Sequence, residues 1–199
     1  MSEPHRLVYD RAPSMGLSYL RALTAGGRKL AEGGTIESME ATAWKVQPDV
    51  AQVAQYRQSC RIPEAANLPL AYPHVLAVPL QTALVTSPRF PLPTLGLVHV
   101  SQTIEQLRPI SVNETLRLHV RVSGHRAVRS GVEFDLMTSA ESGGEEVWRA
   151  VTTCLSRVGG SGGERKRSAA GPAPGEEPGR LRSVLWHVPA DMGRRYAAV

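Results

Sequence analysis

Histidines and carboxylates are the residues here whose types allow proton transfer. His74 stands two residues after Tyr72, at the head of a long apolar stretch. His99 and Glu105 fall in one predicted strand, and His119 and His125 lie among arginines. An imidazole and a carboxylate sharing one water make an acid–base pair worth about 10²–10⁴ in rate. By simple alternation His99 and Glu105 share a strand face. Their separation is roughly 20 Å along an extended chain, too far to cooperate within that strand. His74, alone near a helix start, reads as a capping histidine with a backbone partner. His119 and His125 read as solvated. Arg117, Arg121, Arg126 and Arg129 have the charge to meet a phosphate, or simply cover an exposed strand face. Asp49 and Asp191 have no histidine at a useful spacing. No metal-ligand spacing, phosphate-cradling glycine loop or G-x-S-x-G turn is present.

The element that must position these groups is Tyr72–Phe90 (YPHVLAVPLQTALVTSPRF). Pro73 suits the first helical turn, where its missing N–H costs nothing. Val75, Leu76, Pro79, Leu80, Ala83 and Leu84 form a helical stripe. Ala77, Val78 and Val85 make the opposite face apolar, which predicts a helix buried all round. Pro79 should kink it or split it in two, and Ser87-Pro88 should end it. Strands follow. Gly96–Gln106 sets Val98, Val100 and Ile104 against His99, Ser101 and Glu105. Leu116, Leu118, Val120 and Val122 alternate with Arg117, His119 and Arg121. Gly131–Ala140 alternates likewise, Ser142-Gly143-Gly144 is a turn, and Val147–Val158 reads as a central strand. Earlier in the chain, the end of Thr35–Val46 reads as a strand, and Asp49 caps a helix running to about Gln58. Ser14–Leu30 reads as a short helix. One helix followed by an antiparallel sheet to wrap it is an α+β pattern.

Bulk properties narrow the class. Of 199 residues, 42% are hydrophobic and only 5% aromatic, so the core is aliphatic. No apolar run is long enough to span a bilayer, and the N-terminus lacks the pattern of a secretory leader. Two cysteines, Cys60 and Cys154, suit reduced thiols, which predicts a cytoplasmic protein. The formal charge is +5, yet residues 159–199 alone hold seven Arg/Lys against four acids. The remainder is nearly balanced, and no aromatic residues interleave Arg165–Arg167, so nucleic acid is not the expected partner.

Residues 159–182 are rich in Gly, Ser, Pro and charge, the composition of a linker. Beyond it a short pattern recurs. Trp44-Lys45-Val46-Gln47-Pro48-Asp49 and Trp186-His187-Val188-Pro189-Ala190-Asp191 both read W-x-V-x-x-D, each followed by a Tyr, Tyr56 and Tyr196. The expected organisation is an extension over 1–35, a domain over 36–158, the linker 159–182, and the start of a second copy over 183–199.

LPLAYPHVLAVPLQTAL, LGLVHVSQTIEQLRPI and NETLRLHVRV resemble the central helix and following strands of the MaoC-like dehydratases, the (R)-specific enoyl-CoA hydratase family. The resemblance covers most of the chain and implies the N-terminal half of a double hotdog, a sheet wrapped around one apolar helix. In that family a Tyr precedes a Ser-Gly-Asp-x-Asn-Pro-x-His motif in the second half. Tyr196-Ala197-Ala198-Val199 matches the lead-in, and residues 1–199 hold no copy of the motif. The resemblance therefore implies a non-catalytic half that embraces an acyl-CoA thioester, with no catalytic residue, cofactor or metal of its own. Tyr72, His74, Val75, Val78 and Leu84 would line the acyl channel. A catalytic hotdog, on the same chain or a separate subunit, would complete a dimer-like pair. Two other readings stay open. A stand-alone hotdog thioesterase needs a carboxylate near the central helix, where Tyr72–Phe90 has none and Glu64 or Glu105 would have to serve. A thioester-binding scaffold needs no chemistry at all.

Overall fold

In the computed structural model the described residues are 4–14, 16, 28, 30, 34–157 and 190–193. Residues 1–158 and 159–199 form separate compact units, and the fold described below is that of the first. The expected Ser14–Leu30 helix, the linker and most of the repeated segment lie outside the described residues.

Among the described residues, six strands and two helices build the unit. The strands are β1 (His5–Tyr9), β2 (Met39–Val46), β3 (Val98–Gln106), β4 (Leu116–Val128), β5 (Gly131–Ser142) and β6 (Glu145–Arg157). The helices are α1 (Val50–Cys60) and α2 (Tyr72–Thr86). Sheet order is β1-β2-β4-β5-β6-β3, with β1 parallel to β2 and every other pair antiparallel. This is the expected α+β hotdog. The sheet presses its apolar face, Ala41, Ala43, Leu118, Val120, Phe134 and Leu136, toward α2.

The local chemistry explains the elements. The Asp49 carboxylate accepts from the N–H groups of Ala51 (2.8 Å) and Gln52 (3.3 Å), so α1 begins where an acidic cap predicts. Gly143 and Gly144 take φ of 62° and 86°, the pair of positive values that a two-residue hairpin turn requires between β5 and β6. Gly131 opens β5 at φ 148°. A Cβ there would lie 2.0 Å from the Ser156 carbonyl oxygen. Gly131→Ala should therefore push β5 off β6 and cost about 3 kcal/mol, read as a lowered denaturant midpoint.

Three expectations need correction. First, β1 lies within the stretch read as an extension, yet it forms the sheet's edge beside β2. Arg28 adds a 2.6 Å bond to the Ser87 carbonyl at the end of α2. Second, of the kink or split expected at Pro79, the split does not occur, and α2 runs as one helix of 15 residues. Third, α2 is not buried all round. The sheet covers Ala77, Leu80, Gln81, Ala83 and Leu84, while Val75, Val78, Pro79 and Thr82 stay half-buried. A single sheet covers one side of a rod, so this stripe is left for something else to cover.

Candidate functional site

The face of the sheet under α2 is not wholly apolar, and its polar members converge. Gln81 is buried in the middle of α2. Its amide nitrogen donates to Thr138 Oγ1 on β5 (3.1 Å) and lies 3.5 Å from His74 Nδ1. The His74 ring in turn lies 6.3 Å, centroid to centroid, from that of His99 on the edge strand β3. Beside His99, the Thr152 hydroxyl of β6 donates to Gln102 Oε1 of β3 (2.8 Å), while Gln102 Nε2 is buried with no partner among the described residues. These two groups, one on α2 and β5 and the other on β6 and β3, make up a polar strip on the α2 side of the sheet, linked by the approach of His74 to His99.

His99 reaches this strip because of a β-bulge. Its partner is Cys154, while Ser101 already pairs with Thr153, so Val100 is the extra residue. The bulge places His99 and Glu105 on opposite faces, contrary to simple alternation, and leaves Val100 half exposed rather than inward. Glu105 points away from α2 and pairs with Arg149 at 2.7 Å. His74 is not a cap either. The helix start at Ala71 has no side-chain cap, and the imidazole turns toward Gln81 instead. Burial, and then the neighbouring His99, push its pKa below the ordinary imidazole value, so it stays neutral near pH 7.

Of the other expected channel residues, Val75 and Val78 lie on the half-buried stripe of α2. Tyr72 and Leu84 are enclosed in the core, where Tyr72 meets Tyr56 edge to face at 5.2 Å. Gln81, Gln102, Thr138 and Thr152 are not among the site residues expected from sequence. The available signal was Gln81, a lone amide within an otherwise apolar helix.

The remaining titratable groups are committed elsewhere. His119 lies 3.4 Å from Glu40 on the face turned away from α2, in a groove of ≈ 600 Å³ that also includes Glu105, Arg121 and Arg149. Burial pushes the Glu40 carboxyl up, but hydrogen bonds from Arg6 and His119 outweigh it and hold the pKa below the usual value. A carboxylate locked to a guanidinium is a poor base, so this pair reads as a cross-strand ion pair. Arg117 stacks on Trp44 (4.3 Å) and pairs with Glu141, and Arg126 bridges Glu133 and Asp135. The arginines therefore do not form one phosphate site. Burial, and then Asp135, lift the Cys154 thiol to about 11, which leaves no thiolate nucleophile at neutral pH. Glu64, a carboxylate that the thioesterase reading needs, is exposed in the loop before α2. Among the described residues no cluster of His, Cys, Asp or Glu can hold a metal, and no helix is long and apolar enough to cross a membrane.

Glu114 supplies a pH-dependent contribution to stability. The Arg108 guanidinium, then Ser142 and the Ser111 N–H, lower its carboxyl to about 2. A depressed folded-state pKa adds stability above the unfolded value and loses it as pH falls through the folded one. Discounted for solvent screening, the gain is about 1–2 kcal/mol. Thermal denaturation of Glu114→Gln should show a deficit at pH 6 that fades between about pH 4 and 2.

No family model matches the chain. The curated Mycobacterium tuberculosis protein 3-hydroxyacyl-thioester dehydratase X is 36% identical over 155 residues, 76% of this chain and 53% of the relative. This chain thus spans about half the length of that relative. A crystal structure of HtdX from M. tuberculosis superposes with a TM-score of 0.61 at 33% identity, covering 79% of this chain and 62% of that one. A MaoC-like dehydratase shares the fold at a TM-score of 0.51 and 16% identity, covering 57% of this chain and 39% of the other. With 36% identity over 76% of this chain, and a fold that superposes on the crystal structure of HtdX, the chain belongs to the MaoC-like family of hotdog dehydratases.

Proposed function

We infer that this chain is the acyl-thioester-embracing half of a double hotdog whose other half performs the reversible hydration of a 2-enoyl thioester. The observation that carries this reading is the half-buried stripe Val75, Val78, Pro79 and Thr82 on α2, together with β3 as an outer strand of the sheet. An apolar helix face and an open strand edge are suited to a second sheet and helix. Adding water to the enoyl group needs one residue to take a proton from water and another to give one to the α-carbon. His74 and His99 neighbour each other, and among the described residues no carboxylate is hydrogen-bonded to either ring. The strip binds and orients, and the proton-transfer groups come from the catalytic hotdog, on the same polypeptide or on a separate subunit. The acyl chain would lie along Val75 and Val78, with His74 at the head of the channel.

The test is hydration of crotonyl-CoA by the 199-residue chain alone, followed by loss of enoyl absorbance. No turnover above the uncatalysed rate is expected. Robust turnover would overturn the non-catalytic assignment. Hydrolysis of a saturated acyl-CoA that fails in Glu64→Gln or Glu105→Gln would establish the thioesterase reading instead.

A further inference from the structure

We propose that the polar strip under α2 is a subsite for an oxygen atom carried on the acyl chain, so that the thioesters held here bear a hydroxyl or ketone beyond the reacting carbons. The proposal rests on the acyl-thioester reading above and deepens it.

Three observations converge. An alkyl chain needs only apolar walls, and α2 supplies them at Val75 and Val78. Yet five polar side chains from α2, β3, β5 and β6 stand on this side of the sheet, joined as His74–Gln81–Thr138 and as Gln102–Thr152. Separately, Gln102 Nε2 is a buried donor with no acceptor among the described residues. A buried N–H left unpaired is costly, and exceptions call for an explanation. Turning the amide over does not remove the problem. Thr152 Oγ1 would then accept from Nε2, and Oε1 would be the buried atom in need of a partner. Finally, the strip begins at the edge strand β3, where the His99 ring lies 6.3 Å from that of His74 at the head of α2, so a ligand entering at that end can reach it. A ketone or hydroxyl oxygen supplies the acceptor that Gln102 lacks. A plain methylene at the same point leaves the donor unpaired, which is how a polar site rejects an apolar ligand.

The experiment is titration calorimetry of the full 199-residue chain with decanoyl-CoA and a series of oxodecanoyl-CoA thioesters, the ketone moved one carbon at a time. At least one ketone position should bind about tenfold tighter than decanoyl-CoA. Gln102→Leu should abolish that preference while keeping decanoyl-CoA binding. Gln102→Met serves the same end should the leucine fit poorly. Equal affinity across the series in the unaltered chain overturns the oxygen subsite and leaves the acyl-thioester reading standing. Absence of binding by every thioester overturns both.

Discussion

Arg57→Ala is expected to destabilise the first unit by about 3–4 kcal/mol, read as a lowered denaturant midpoint with an unchanged slope. Arg57 is buried on α1, 6% exposed. Its guanidinium donates to the carbonyls of Pro63 and Asn67, with a third at Ala65 3.5 Å away. That loop carries two prolines and cannot satisfy its own carbonyls through regular structure. It is held in turn by Leu68 N–H to Ile110 (2.7 Å) and Val112 N–H to Ala66 (3.0 Å), and it leads directly into α2. Hydrogen bonds to a charged donor are each worth about 1.5–3 kcal/mol, but these carbonyls lie near solvent and recover part of that from water. Arg57→Lys should keep less than half of the contribution, since an ammonium lacks the planar fork that spans several carbonyls. A loss under 1 kcal/mol in the alanine variant would show that the loop is held by its backbone bonds alone.

The two corrections that matter most for the site have one origin. Period-2 reading assigns each strand residue a face by counting, and that works where pairing is regular. Leu116, Leu118, Val120 and Val122 are all buried, as alternation predicts. One inserted residue at Val100 reverses the count, so His99 arrives under α2 and Glu105 leaves it. Nothing local marks the bulge, because it is defined by the partner strand, β6, which follows in the chain by more than 40 residues. β1 was hidden for a similar reason. Five residues carry little periodic signal, and their partner β2 lies 30 residues later. By contrast the Asp49 cap and the Gly143-Gly144 turn were legible, because their chemistry is complete within a few residues. The polar strip falls between these cases. Gln81 was visible as an amide in an apolar helix, but its meaning depends on Thr138, which is 57 residues away in sequence.

Val78→Glu tests what covers the open stripe of α2. Val78 is half-buried in this chain, so the carboxylate can reach solvent and folding stability should fall by under about 1 kcal/mol. Binding should suffer far more. If an acyl chain or a second helix lies over Val75, Val78 and Thr82, it would have to bury an unpaired charge, at several kcal/mol. The expected result is a loss of at least about 100-fold in decanoyl-CoA affinity by calorimetry, with an unchanged circular dichroism spectrum. Val78→Leu keeps the stripe apolar and should bind within a few-fold of the parent. Thr82 sharpens the contrast, because its hydroxyl is already spent on the Val78 carbonyl at 2.8 Å and leaves only its methyl to face outward. The stripe thus offers an incoming ligand no hydrogen bond of its own, and polar discrimination falls to the strip beneath it. Unchanged thioester affinity in Val78→Glu would place the acyl chain elsewhere and leave the stripe to a partner alone.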